Sequence, residues 1–279
     1  MKKWGKRLGL VFLILFAIVG ITRMCATPVT PFGSAIGVIN VEGTLWVSDD
    51  LVKQIESFRK NSRIRAVVVR INSPGGTVGA SQEIYSALQS LGAKKPVVAS
   101  MGTIAASGGL YVAMGAKKVF ADPGTLTGSI GVKMEHVDLG GLLKWAGIGM
   151  ETVKSGRYKN MASFTKPLTP EETKFFESLM QEIHAQFKEA VSQSRNIPMN
   201  KLDTFADGRI FTGARGLALG LVDQLGDFPS AVKAAAAMAG IKGEPELVYG
   251  EKEVAWWVKS LFGQAKAASL GPMAFYLYP

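Results

Sequence analysis

The sequence predicts an α/β fold with a largely parallel sheet, preceded by one apolar N-terminal segment. Three observations carry this reading. From Ile36 onward, short β-branched runs alternate with helical stretches, as in strand–helix–strand units. The run Ala66–Ile71 (AVVVRI) is of the buried, parallel-strand type. Leu8 to Ile21 is fourteen residues without a charge behind a basic start. The 279 residues suffice for one large domain with appendages. A 47% hydrophobic content excludes disorder, and a single cysteine excludes both an internal disulfide and a cysteine-rich zinc site.

The N-terminal segment starts with Lys2, Lys3, Lys6 and Arg7. Its apolar run is shorter than the ~20 residues of a full span. Trp4, the stems of Lys6 and Arg7, and Thr22 to Ala26 make up the length. Met24-Cys25-Ala26 fits an A-x-A-like cleavage pattern poorly, so residues 1–26 are expected to be an uncleaved signal anchor. The positive-inside rule then leaves residues 1–7 in the cytoplasm and sends everything after Arg23 across the membrane. Cys25 lacks the small residue that usually precedes a lipidated cysteine. Five of the ten net positive charges lie within residues 1–24, so the basicity reads as an address and not as a nucleic-acid surface.

The remaining elements follow in order. Residues 27–35 (TPVTPFGS and its neighbour) form a linker without periodicity. Ile36–Val41 is a predicted strand, and Asp49 or Asp50 is placed to cap a helix to about Lys60. Strands are predicted at Ala66–Ile71, Pro96–Ser100 and Lys118–Phe120, with helices at Val78–Leu91 and Ser107–Met114. Thr127–Val137 reads as extended, Leu139–Ala146 as helical and Glu151–Val153 as extended. A polar stretch over Ser155–Leu168 precedes a long amphipathic helix from Thr169-Pro170 to about Ser194. Ile210–Leu225 alternates turns with apolar pairs, and Pro229–Ala239 is an alanine-rich helix. The catalytic-domain candidate thus spans 36–250. Residues 251–279 form an aromatic tail (Trp256, Trp257, Phe262, Phe275, Tyr276, Tyr278) that packs on its own domain or a neighbouring subunit, or touches lipid.

Two stretches carry chemistry. Asn72-Ser73-Pro74-Gly75-Gly76 turns a strand into a helix and leaves backbone N–H groups unpaired at the helix start, which suits an anion or oxyanion cradle or is an ordinary turn. Met101–Gly109 (MGTIAASGG) leads a strand into a helix that opens on two glycines. Ser107 there is an exposed nucleophile with the N–H of Gly108 beside it, or the small residues serve close packing. A nucleophilic serine needs a base. Of the two histidines, His184 lies in a solvated-looking helix (MQEIHAQFKEA) and reads as a surface residue, and His136 stands near a strand end. A lysine whose burial favours the neutral amine can replace histidine. Lys154 and Lys159 of KSGRYK are both available, and spacing does not choose between them. No ligand-spaced His/Asp/Glu cluster and no Walker or dinucleotide fingerprint occurs, so no metal or cofactor is expected.

Together these stretches resemble the signal peptide peptidase A family of membrane-anchored serine proteases. The matching pieces are Asn72–Gly76, Met101–Gly109, Leu126–Val132 (LTGSIGV), Lys154–Lys159 (KSGRYK), Asp207–Ile210 (DGRI) and Gly220–Leu225 (GLVDQL), in the family's order. The resemblance implies a ClpP/crotonase-like fold in the short, single-domain form. It implies Ser107 as nucleophile, Lys159 as general base within the same chain, Ser129 as the serine that orients the lysine amine, and the N–H groups of Gly76 and Gly108 as the oxyanion hole. Leu110 departs from the aromatic residue common after SGG. The implied substrates are cleaved signal peptides remaining in the membrane. The implied assembly is a homo-oligomeric ring, and the implied location is the bacterial inner membrane with the domain on the extracytoplasmic side. A crotonase-like acyl-CoA enzyme and a membrane-tethered scaffold with a dead site are the competing readings.

Overall fold

Parallel pairing dominates because helices make the connections. The computed structural model describes residues 33–250, so the expected anchor and the aromatic tail lie outside the described residues. The order is β1 (Ala35–Leu45), α1 (Asp49–Lys60), β2 (Ile64–Gly76), α2 (Val78–Gly92), β3 (Val97–Ala106), α3 (Gly108–Ala113), β4 (Lys118–Ala121) and β5 (Leu126–Gly128). Then come α4 (Gly140–Trp145), α5 (Pro170–Arg195), α6 (Met199–Leu202), β6 (Ile210–Thr212), α7 (Gly213–Leu219), β7 (Gln224–Leu225), α8 (Phe228–Met238) and β8 (Glu246–Tyr249). The main path of the sheet runs β6-β5-β3-β2-β1-β8, with β4 on β3 and β7 on β4. Every pairing is parallel except β5 with β6.

The central strands are buried on both faces, which is why they read as unbroken apolar runs. Along β2, Val67, Val69 and Ile71 face the larger core, with Ile55 and Phe58 of α1, Ile84 and Leu88 of α2, Leu110 of α3, and Phe187 and Val191 of α5. The alternate residues Ala66 and Val68 face a second core with Phe120 and with Ala231, Ala235 and Ala236 of α8. Leu110, where the sequence departs from the resemblance, is wholly buried in the larger core.

One strand divides the sheet. The first half of β3, Val98–Met101, pairs with β4, and its last residues, Ile104–Ala106, pair with β5. Between them the strand is held by side chains. Asn72 Oδ1 accepts from Thr103 N at 2.7 Å, and Thr125 Oγ1 donates to Gly102 O at 2.7 Å. Thr127 Oγ1 donates to Ala105 O at 2.8 Å. These long-range bonds carry β3 six residues beyond the strand end expected at Ser100, through Gly102, Ala105 and Ala106, which are of low strand propensity.

Other expectations are corrected for similar reasons. Ser48, not Asp49 or Asp50, is the cap residue of α1, and its hydroxyl makes no cap bond because it bonds to Glu83 of α2. Of the extended stretch expected over Thr127–Val137, only Thr127 and Gly128, in β5, find strand partners. Glu151–Val153 forms no strand and Val153 is fully exposed. β8 was not foreseen; its short Glu-Leu-Val-Tyr run becomes a strand by pairing with Ala35–Val38. Among the described residues no helix is long and apolar enough to cross a membrane.

The long helix starts where expected. Thr169 accepts from Glu172 N at 3.2 Å, and the Glu172 carboxylate accepts from Thr169 N at 2.8 Å, completing a capping box with Pro170 at the first helical position. The Lys166 ammonium, 2.6 Å away, and the Thr169 N–H hold the Glu172 carboxyl down at about 2. A depressed carboxyl contributes stability above its unfolded value, and that contribution is lost as pH falls through the folded one. The melting-temperature difference between wild type and Glu172→Gln is therefore expected to be constant above about pH 5 and to shrink steadily towards pH 2. Thermal melts at half-unit pH intervals measure it. A difference independent of pH contradicts the ion-paired cap.

Candidate active site

Parallel strands expose unpaired backbone groups at their C-terminal ends, which is where ligands bind in open α/β sheets. Here the ends of β2, β3 and β5 border a cavity of about 770 Å³. Gly75, Gly76, Ser107, Gly108 and Ser129 line it from the strand ends, and Ile183, His184 and Phe187 line it from α5. The structure thus brings four of the five expected site residues to one cavity: Ser107, Ser129, Gly76 and Gly108.

Ser107 is the cap residue between β3 and α3, with φ 52° and ψ −121°. A residue with a Cβ rarely adopts this conformation, and such strain typically costs ~1–3 kcal/mol and gathers at functional sites. A neighbouring strand and the following helix impose it: Ser107 N donates to Gly128 O of β5 at 2.9 Å, and Tyr111 N of α3 donates to Ser107 O at 2.9 Å. The half-buried side chain is thereby turned to the cavity.

The two Gly-rich turns are packed on each other. Gly75 has φ 103°, and a Cβ there would lie 2.6 Å from Gly108 N and 2.9 Å from the Ser107 Cβ. Gly76 N lies 3.2 Å from where a Cβ on Gly108 would stand, so the two candidate donors are neighbours. Gly108 is the first residue of α3, and its N–H has no intrahelical acceptor. The wholly buried Ser73 fastens the first turn: its hydroxyl donates to Gly43 O at 2.6 Å and accepts from Gly75 N at 3.1 Å.

Ser129 follows β5 with φ 53°. Its N–H donates to Arg209 O at 2.8 Å, and Gly208 N donates to Ile130 O at 3.0 Å, so the DGRI piece clamps the serine's backbone. Asp207 holds that loop. Its Oδ1 accepts from Arg209 N at 3.2 Å and Nε at 2.7 Å, and the Arg209 guanidinium keeps its carboxyl at about 2.

The bases are distributed differently. Lys159 is exposed in the 154–161 turns and is not among the cavity-lining residues. Lys133, which the sequence reading passed over, does line the cavity; it is largely solvated and 2.9 Å from Glu135. His136 lies outside the cavity, its Nε2 3.0 Å from Lys166 O. His184 is the correction. Expected at the surface, it lines the cavity, and its Nε2 is buried without a hydrogen-bond partner among the described residues. The spacing 184, 187, 191 places it on the face of α5 that carries buried Phe187 and Val191, a helical period the polar surroundings obscured. Tyr111 of α3 completes the wall, its ring 4.8 Å from that of Phe187, and burial pushes its hydroxyl's pKa up.

Comparison with known proteins agrees with this architecture. The sequence model of Peptidase family S49 matches residues 89–242, and that of Clp protease matches residues 37–125. A Synechocystis sp. protein named as a protease is 48% identical over 63% of this chain and 64% of its own. The chloroplastic serine protease SPPA of Arabidopsis thaliana is 35% identical over 74% of this chain and 30% of its own. Protease 4 of Salmonella typhi is 37% identical over 70% of this chain and 31% of its own. The chain thus spans from under a third to just under two thirds of the length of these relatives. The mixed sheet, its fork at β3 and these matches place the chain in peptidase family S49, as an SppA-type protein with a ClpP/crotonase-like fold.

Proposed function

We propose that this protein is a membrane-anchored serine endopeptidase that cuts remnant signal peptides by a Ser107/Lys159 mechanism. The observation that carries it is Ser107, held at φ 52° on the wall of a large cavity with the Gly108 N–H beside it. In this reading the Ser107 hydroxyl attacks a peptide carbonyl as neutral Lys159 takes its proton. The N–H groups of Gly76 and Gly108 receive the developing oxyanion, each such donor being worth about 3–4 kcal/mol of barrier. The Lys159 ammonium then protonates the leaving amine; the lysine, neutral again, takes a proton from the water that attacks the acyl group and returns it to the departing Ser107 oxygen. Ser129 orients the amine. The apolar wall of Val78, Val132, Ile183 and Phe187 suits apolar substrate side chains.

Lys159 reaches this chemistry by assembly. Burial is what makes a lysine amine neutral, and in the single chain Lys159 is exposed. The segment between Ser129 and Lys159 presents Leu142, Trp145, Ile148, Met150 and Val153 to solvent, Trp145 at 85% exposure. An apolar surface of this kind supports packing against further copies of the chain, which would bury the turn that carries Lys159.

A fluorophosphonate probe tests the reading on the full-length chain in detergent. The expected result is one covalent adduct, mapped to the peptide containing Ser107, absent in Ser107→Ala and strongly slowed in Lys159→Ala. An adduct on another residue, or an active preparation that takes up no probe, overturns it.

A further inference from the structure

The proposed mechanism leaves several polar side chains of the cavity unused, and among them His184 is the one with a buried, unpaired atom among the described residues. His184 borders the cavity between Ile183 and Phe187, and its Nε2 has neither solvent nor a hydrogen-bond partner among the described residues. Leaving a buried donor or acceptor unpaired typically costs ~1–3 kcal/mol, and such groups in native folds usually have a functional reason. Catalytic base is not that reason here. A histidine base is bonded to its nucleophile and oriented by a third group, and among the described residues no hydrogen bond joins His184 to Ser107 or to any carboxylate.

We propose, resting on the endopeptidase reading above, that His184 is a substrate-binding residue whose Nε2–H donates to a main-chain carbonyl of the bound peptide. The walls favour this division of labour. Val78, Val132, Ile183 and Phe187 can take apolar side chains but cannot pair a peptide group, and a carbonyl that settles against the Ile183 and Phe187 side of the cavity needs a donor there. The imidazole can deliver one. Its χ2 is broad and roughly two-fold, and with no hydrogen bond to break at Nε2 the ring turns towards the cavity at little cost. Main-chain recognition also suits a peptidase acting on segments of varied sequence, because every peptide carries the carbonyl.

Steady-state kinetics on a fluorogenic apolar peptide test this in the full-length protein. His184→Phe, which keeps a ring but no donor, is expected to raise KM about five- to tenfold with kcat within about twofold, the worth of one hydrogen bond. His184→Gln, which restores a donor, is expected to return KM to within about twofold of wild type. An unchanged KM in His184→Phe, or a raised KM that glutamine does not rescue, overturns the proposal. So does a collapse of kcat at constant KM, which would make the imidazole the base. Fluorophosphonate labelling of the same variants and of Ser107→Ala separates the two levels: normal labelling of Ser107 with unchanged KM removes the His184 proposal alone, whereas peptide cleavage surviving in Ser107→Ala removes the Ser107 mechanism on which it rests.

Discussion

Ser107→Ala is expected to lower kcat by about 10⁴-fold or more if Ser107 is the nucleophile as proposed, because a serine hydrolase without its nucleophile keeps only binding and oxyanion stabilisation. Lys159→Ala is expected to fall almost as far, and the double variant no further, since the two residues would act as one unit. His136→Ala is expected to stay within about threefold of wild type, as its ring lies on the Lys166 carbonyl and outside the cavity. If the serine and His136 variants lost activity and the lysine variant kept it, the lysine base would be wrong. Stability separates chemistry from strain. Ser107→Ala retains a Cβ at φ 52°, whereas Ser107→Gly removes it and is expected to be the more stable by about 1 kcal/mol in denaturant unfolding. Mixing the Ser107→Ala and Lys159→Ala proteins asks whether the proposed dyad is shared between copies of the chain. Recovered activity means that neighbours share the dyad; none means that each chain supplies both residues.

The next largest effect is expected at the proposed oxyanion cradle, where two glycines should respond differently. A Cβ on Gly76 would lie 2.5 Å from Leu45 N and 2.6 Å from Leu45 C, backbone atoms held in the β1–β2 ladder. Nothing flexible can yield, so Gly76→Ala is expected to lose about 3 kcal/mol or more of stability and all measurable turnover. For Gly108→Ala the nearest obstacle is the Ser81 hydroxyl, which can rotate away, and the next are Gly75 Cα and Gly76 N at 3.2 Å. This variant is expected to fold, with kcat reduced about 10²-fold by a methyl group crowding the donors. Urea unfolding together with kcat/KM on one peptide checks both. A Gly76→Ala protein of normal stability and activity would remove Gly76 from the cradle.

Where burial alone decides, the sequence was readable. Ala66–Ile71 was legible as a buried strand and Pro96–Ser100 as a strand, and the α5 start was legible because Thr169, Pro170 and Glu172 satisfy the helix end locally. The Gly-rich stretches were legible as turns, but whether they were cradle or packing was not. Their approach depends on β2 and β3 ending side by side, with Gly75 against Gly108. The fork of β3 was hidden because Asn72, Thr125 and Thr127, remote in sequence, supply its bonds. His184 was misread because its polar neighbours on the outer face of α5 masked a three- and four-residue spacing with Phe187 and Val191.

The opening expectation of an α/β protein with a largely parallel sheet followed from the sequence alone, since alternation and apolar runs are local consequences of burial. The residue set Ser107, Ser129, Gly76 and Gly108 was implied by the family resemblance as well. Only the tertiary structure decided that these four share one cavity, that two of the serines sit at positive φ, and that His184 joins them while Lys159 stays outside. The reason is physical. A residue's propensity and periodicity are set by its chain neighbours, but strained backbone and convergent side chains are set by strands that meet from distant parts of the chain.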